Sequence, residues 1–454
     1  MPNIKKNNNI LPAILLFLFV TIALIPGFYR NQWNMAGKKR FPEWRLNSNY
    51  MLVGRLAHSK QAGIFASGAL LGTVDGGWPT PPGIAEHQYD VYLNHLEYET
   101  FFTYNSAIGF QGILFSLFDI ATDYPENFNL KVFSGVTAVL SAIMMACFVV
   151  WFFLQFGALP AVFVFVFILL SEWITLFAGD IYWQLWAFYL PTIIAFYYFL
   201  LQKNEGYRAS ALPILIFLSV LIKILFNGFE FISTTLVMIY TPLVYYSFVQ
   251  NWSFRRFADW SIKIGLSAIL AVFSGLGILI AQLSTVLGGW IPALSYVNST
   301  ILRRTYGSES NALDVDLATV LWTYISGRAF NFQIIADMTR LPSLEEVSYL
   351  TIFIIFIIAS VIFLAISFYQ STIFDLRMKA LFWTMWFSVI SALSWFIIFK
   401  GHSSVHTHLN YIVWQMPFTI ISFAFLGNFV KVLLSQLKRL IVSLSSPNLK
   451  SLQD

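Results

Sequence analysis

Apolar runs of about 20 residues, the length a helix needs to cross the ~30 Å hydrocarbon core of a bilayer, dominate the chain. On that rule the sequence predicts ten spans: 10–28, 132–155, 158–178, 183–201, 210–227, 236–250, 261–286, 348–369, 380–399 and 411–430. Lys5 and Lys6 precede the first, but no small-x-small site follows in IPGFYRNQW, so it is expected to remain as an anchor. Two long segments interrupt the runs, 29–131 and 287–347, and a tail follows from 431 to 454. In the first segment MLVGRLAHSKQAGIF (51–65) sets Met51, Leu52, Leu56 and Ile64 among polar residues, which predicts a short amphipathic helix. GWPTPPG (77–83) reads as an irregular loop, and GFQGILFSLFDIA (109–121) is apolar but too short to span, predicting a re-entrant or interfacial piece. No internal repeat is visible, which argues against an inverted-repeat transporter.

Composition agrees. Of 454 residues 58% are hydrophobic and 11% charged, against roughly 45–50% and about 25% in a soluble domain. Soluble globular, disordered, collagen-like and coiled-coil classes are excluded, and the fold class expected is an all-α polytopic membrane protein. Cys147 is the one cysteine, so neither a disulfide framework nor a cysteine zinc site exists. The net charge of +5 is accounted for by basic residues in short connections, not by nucleic-acid binding. KKNNN near the start, QKNEGYR (202–208), NWSFRRFADW (251–260), DLRMK (375–379) and Lys431, Lys438 and Arg439 all fall on one side. By the positive-inside rule both termini are cytoplasmic and both long segments lie outside.

Ionisable residues near spans are costly and therefore candidates for function. Asp180 follows the third run; Lys223 and Glu230 bracket the end of the fifth; Arg303 and Arg304 lie in the second long segment, read as loop; KGHSSVHTHLNYIVW (400–414) joins the last two runs. All fall on the predicted outer side. Lys223 and Glu230, about two turns apart, share a helix face, with snorkelling to the interface as the alternative. The two arginines are either solvated or a phosphate clamp, since guanidinium forks match phosphate oxygens. His402, His406 and His408, with Asn410, suit hydrogen bonds to sugar hydroxyls or phosphate; a divalent metal or simple packing of the turn are the alternatives. No phosphate-cradling Gly-rich loop occurs in the cytoplasmic connections.

An anchor, a long outer loop with an amphipathic piece, many further spans and polar outer turns resemble the GT-C superfamily of integral-membrane glycosyltransferases. The local match is in YMLVGRLAHSKQAGIF: Tyr50, Arg55 and Gly63 reproduce the Tyr-to-Arg spacing and closing Gly of the mannosyltransferase-like and aminoarabinose-transferase-like branches. Where those branches carry an acidic pair this chain has Leu46 and Asn47; the nearest acid is Glu43, with Asp75 and Asp90 later in the loop. SEWITLFAGDIYWQLWAFYLP and KGHSSVHTHLNYIVWQMPF (400–418) are also similar to uncharacterised bacterial multi-pass proteins of this kind.

The resemblance implies an enzyme of a bacterial inner membrane that takes a sugar from a polyprenyl-phosphate-linked donor and passes it to an envelope glycan, such as lipopolysaccharide, or a lipid acceptor. It implies a carboxylate base, Glu43 or Asp180; donor and acceptor contacts from Arg55, Lys223, Glu230, Arg303, Arg304, His402, His406, His408 and Asn410; and no cofactor. A flippase for a lipid-linked glycan is the rival class, and a non-catalytic assembly subunit the third.

Overall fold

A computed structural model describes residues 10–77, 81–202, 211–307, 316–331, 346–370 and 372–445. Lys5, Lys6, Arg208, Pro79 and Ser310 lie outside the described residues. The chain begins with α1 (Ile10–Arg30) and α2 (Arg40–Ala62), then α3 (Ile84–Asn94), α4 (Phe110–Ala121), α5 (Glu126–Phe156), α6 (Ala158–Leu170) and α7 (Glu172–Ala178). It continues through α8 (Leu185–Leu201), α9 (Ala211–Asn227), α10 (Ile232–Met238), α11 (Thr241–Val249), α12 (Phe254–Val286), α13 (Trp290–Tyr306) and α14 (Leu317–Ser326). It ends with α15 (Tyr349–Tyr369), α16 (Leu376–Ile398), α17 (Lys400–Val405) and α18 (Phe418–Ser445). Strand pairs β1 (Gly72–Val74) with β2 (Phe101–Thr103) and β3 (Arg328–Asn331) with β4 (Glu346–Ser348) are short and antiparallel.

Among the described residues seven helical segments are long and apolar enough to cross a membrane: Ile10–Arg30, Glu126–Phe156, Ile232–Val249, Phe254–Val286, Tyr349–Tyr369, Leu376–Ile398 and Phe418–Val442. This is the architecture of an all-α integral membrane protein. α6 and α7, within the run 158–178 that the sequence predicts as one span, make an eighth if they count as one, but they are bent by 68°. The break is Ser171, which leaves the helical region and caps α7 by accepting the Ile174 N–H. α8 and α9, at 17 residues each, reach about 26 Å at 1.5 Å per residue, just short of the hydrocarbon thickness.

Other boundaries move for equally local reasons. α12 starts at Phe254 because Ser253 caps it, so its polar first turns, absent from the apolar run, are helical. The 236–250 run is two helices, the second opened by Pro242 in its first turn. The 411–430 run begins as a 3-10 turn, Asn410–Gln415, before α18.

α1 packs on α5, α6 on α18, α12 on α9, and α10 and α11 on α16. The C-terminal carbonyls of α5 accept from Arg377 (to Gln155 O, 3.1 Å) and Lys431 (to Phe156 O, 2.6 Å), cations placed where a helix leaves carbonyls unpaired. The opposite end of the bundle carries α2–α4, α13, α14 and α17. There 51–65 is no surface amphipathic helix: Leu52 through Ser59 of α2 are buried. α2 comes so close to β1 that a Cβ on Gly54 would meet Gly72 O and Gln88 Oε1. Gln88 completes the seam by pairing with both the N–H (2.7 Å) and the carbonyl (2.9 Å) of Val74.

Candidate functional site

At that end the loop between α7 and α8 carries Asp180, fully buried. One carboxylate oxygen accepts the N–H groups of Tyr182 (2.9 Å) and Trp183 (3.0 Å), and the other accepts the Ser48 hydroxyl of α2. Asn49, next on α2, accepts the same Tyr182 N–H at 3.2 Å, and Gln111 of α4 donates to Tyr182 O at 3.2 Å. Burial pushes the Asp180 carboxyl up to about 6, more than Ser48, the two amides and nearby Arg45 hold it down. Tyr89 lies against the same group, and burial followed by the Asp180 charge raises its phenol to about 12.

Tyr182 connects this carboxyl to a second cluster. Its phenol and that of Tyr104 hydrogen-bond each other beside Glu230 and Arg304. Glu230, on the loop from α9 to α10, pairs with Arg304 of α13 at 2.5 Å and meets His402 Nε2 at 3.4 Å. Burial alone would raise the Glu230 carboxyl, but Arg304, then His402 and His406, hold it down at about 2. Burial takes His402 down to about 3 despite Glu230, so its imidazole is neutral at pH 7 and does not meet the carboxylate as a cation. His406 lies one turn on, its ring tilted against that of His402 with centroids 4.2 Å apart, and His408 meets it edge-on at 5.7 Å. The Nδ1 atoms of His402 and His406 are buried with no hydrogen-bond partner among the described residues. The cluster closes because Gly401 abuts the end of α13: a Cβ there would meet Arg303 O and Gly307 N.

Arg303 and Arg304 are therefore helical rather than in a loop; Arg304 turns inward and Arg303 is exposed. Lys223 does not snorkel and does not touch the Glu230 carboxylate. Fully buried, it donates to the carbonyls of Gly228 (3.0 Å) and Glu230, fixing the loop that presents the acid. Arg55 is likewise buried and binds the carbonyls of Gly63, Ile64, Ala66 and Leu70, organising the first long segment. Asn410 is buried at the start of the 3-10 turn beside Tyr324. Glu43 is exposed. Five residues before Ser48, it faces about 140° away round α2, so the structure does not bring it to Asp180. Asp75 accepts the N–H groups of Glu99 (2.8 Å) and Thr100 (3.0 Å), a turn-holding role, and Asp90 is exposed.

A carboxylate not singled out in the sequence stands nearby. Glu172, fully buried at the start of α7, receives the fork of Arg328 (2.9 and 2.8 Å) and Arg40 of α2. Arg40 also covers Trp173 at 4.6 Å. Its signal was available: an acid inside a predicted span is costly unless paired. Its partners, 132 and 156 positions away, were not. Among the described residues no group of three His, Cys, Asp or Glu side chains is placed to hold a metal ion.

No protein-family model, curated protein or solved structure matches the chain.

Proposed function

We propose that the protein is a glycosyltransferase of GT-C type, using a polyprenyl-phosphate-linked sugar and an envelope glycan or lipid acceptor at the extracytoplasmic face of a bacterial cytoplasmic membrane. The observation that carries the reading is the junction at Tyr182 of a carboxyl with raised proton affinity and a guanidinium–imidazole cluster. In this reading the acceptor hydroxyl attacks the anomeric carbon as the carbon–oxygen bond to phosphate breaks. The hydroxyl proton passes to Asp180 through Ser48, which is half-buried and bonded to it. The bond pair leaves with the polyprenyl phosphate, toward the exposed guanidinium of Arg303. Glu230 holds Arg304 in place and keeps the cluster from accumulating uncompensated charge.

The orientation rests on the opposite end of the bundle, where Arg255, Arg256, Lys263, Arg377, Lys379, Lys438 and Arg439 gather at short connections and the chain end. Ten crossings result if the bent pair, α8 and α9 each cross. Proteoliposomes holding the purified chain, a polyprenyl-phosphate-linked sugar and an acceptor glycan test the reading. Released polyprenyl phosphate matched by glycosylated acceptor is expected; donor that changes leaflet with its sugar still attached would replace transfer by flipping.

A further inference from the structure

The two sides of α13 differ, and one of them has none of the described residues packed against it. Ala293, Val297 and Arg304 face inward, Arg304 toward Glu230. At about 100° per residue, Trp290, Leu294 and Ile301 fall within an arc of about 40° on the outward flank, at 60%, 52% and 47% exposure. Ile291 and Leu302, also exposed, lie about 60–80° beyond that stripe, with exposed Asn298 between. Further round, Ser295, Ser299 and Arg303 form an exposed polar edge. A soluble helix exposes polar residues across its whole outer surface; a helix lying in the plane of a bilayer interface divides it in this way.

What covers the apolar edge follows from the helix before it. α12 is a candidate span whose Leu266, Leu270 and Phe273 are 63%, 59% and 66% exposed, a surface that in a membrane protein faces lipid. Gly288 and Gly289, both at positive φ (79° and 136°), turn the chain directly from the end of α12 into α13, a bend open to Gly without strain. The apolar edge of α13 thus follows directly in the chain from a helix with a lipid-facing surface, at the end where the Glu230 cluster lies.

We propose that α13 is an interfacial helix, its Trp290–Leu294–Ile301 edge seated among the lipids of the leaflet nearest the site and its Ser295–Ser299–Arg303 edge in the headgroup and water layer. One helix then has lipid on one flank and the partner of Glu230 on the other. A consequence that rests on the transfer reading is that a lipid-borne donor reaches Arg303 sideways from that leaflet.

The single cysteine makes the test direct. In a Cys147→Ser background, Leu294→Cys and Ser299→Cys are spin-labelled in full-length protein in lipid nanodiscs, with Leu266→Cys and Glu97→Cys as hydrocarbon and water references. Collision with oxygen and with a water-soluble nickel chelate is then measured. The label at 294 is expected to give an oxygen-to-nickel ratio severalfold above that at 299, with 299 close to the Glu97 reference. Equal, water-like ratios at both positions would overturn the proposal, as would two hydrocarbon-like ratios. Exclusion of both colliders at 294 would put protein, such as a second copy of the chain, on this edge and would equally overturn it. Ile301→Cys and Ser295→Cys repeat the comparison on the same two edges should either first variant fold poorly. None of these variants touches Asp180 or Glu230, so loss of transfer activity elsewhere leaves the result interpretable.

Discussion

Ser48 and Asp180, 132 positions apart in sequence, share a part-buried hydrogen bond that joins α2 to the loop between α7 and α8. Through it the first long segment and the helical bundle meet at one carboxyl. Among the described residues Ser48, half-buried, supplies the side-chain hydrogen bond to Asp180; backbone amides on its own loop supply the other hydrogen bonds. Ser48→Ala is expected to lower turnover while leaving the fold intact, because the two amides still hold the carboxylate. Turnover equal to the parent at matched expression would remove Ser48 from the proton path.

The ion pair of Glu230 with Arg304 is nearly dry, with side chains 6% and 11% exposed. Arg304→Gln leaves a buried carboxylate with only a neutral imidazole opposite, and breaking such a pair from one side costs about 3–5 kcal/mol. Thermal unfolding in detergent should show the loss, with much of it recovered in the Arg304→Gln/Glu230→Gln double variant. An additive double variant would mean that the two residues do not act as a pair.

The pH dependence of stability has a definite sign. His402, depressed to about 3, stays neutral in the fold while the unfolded chain protonates near 6.5. The unfolded state therefore binds more protons between these values, and stability falls as pH drops from about 6.5 toward 3. Glu230, held at about 2 against 4.5, contributes stability above 4.5 that is lost as pH falls toward 2. Asp180, raised to about 6 from 3.8, acts oppositely, and favours the fold as pH falls through 6. His402→Gln should flatten the slope below pH 6.5 and Asp180→Asn should steepen it between 6 and 4, measured by denaturation across that range. The reverse pair of changes would contradict the assigned charge states.

Much of the architecture was legible because a bilayer imposes a length on every apolar run, and each of the ten runs contains helix. What hydropathy could not see were the caps: Ser253 begins α12 in polar sequence, and Ser171 breaks the third run. Asp180, Glu230, Arg304 and His402 stood out as costly charges or clustered imidazoles. Their partners Ser48, Tyr104 and Tyr182 did not, since nothing in an isolated Ser or Tyr marks what the tertiary fold sets beside it. Glu43 was nearest the acidic pair of the resembled branches by count, yet helical phase turns it away from the site.

Topology can be checked at described positions. Reporter fusions at Arg256 and Lys379 should read cytoplasmic and a fusion at Asp75 exterior. Reversal at any two would place the Asp180 and Glu230 clusters on the cytoplasmic face and end the extracytoplasmic reading.

Metal content separates the readings of the histidine turn. Purified protein is expected to carry no stoichiometric zinc or manganese, and sugar transfer to survive chelator. One bound ion lost in His406→Ala would instead make the turn a metal site.

The most direct measurement of the central claim is turnover with a polyprenyl-phosphate-linked sugar for Asp180→Asn and Glu43→Gln, at matched expression and with donor binding measured alongside. Removing a general base costs about 100-fold or more. Asp180→Asn should therefore lose at least that much turnover while still binding the donor, and Glu43→Gln should transfer at the parental rate. Parental turnover in Asp180→Asn would contradict the account, and a loss confined to Glu43→Gln would move the base to the outer face of α2.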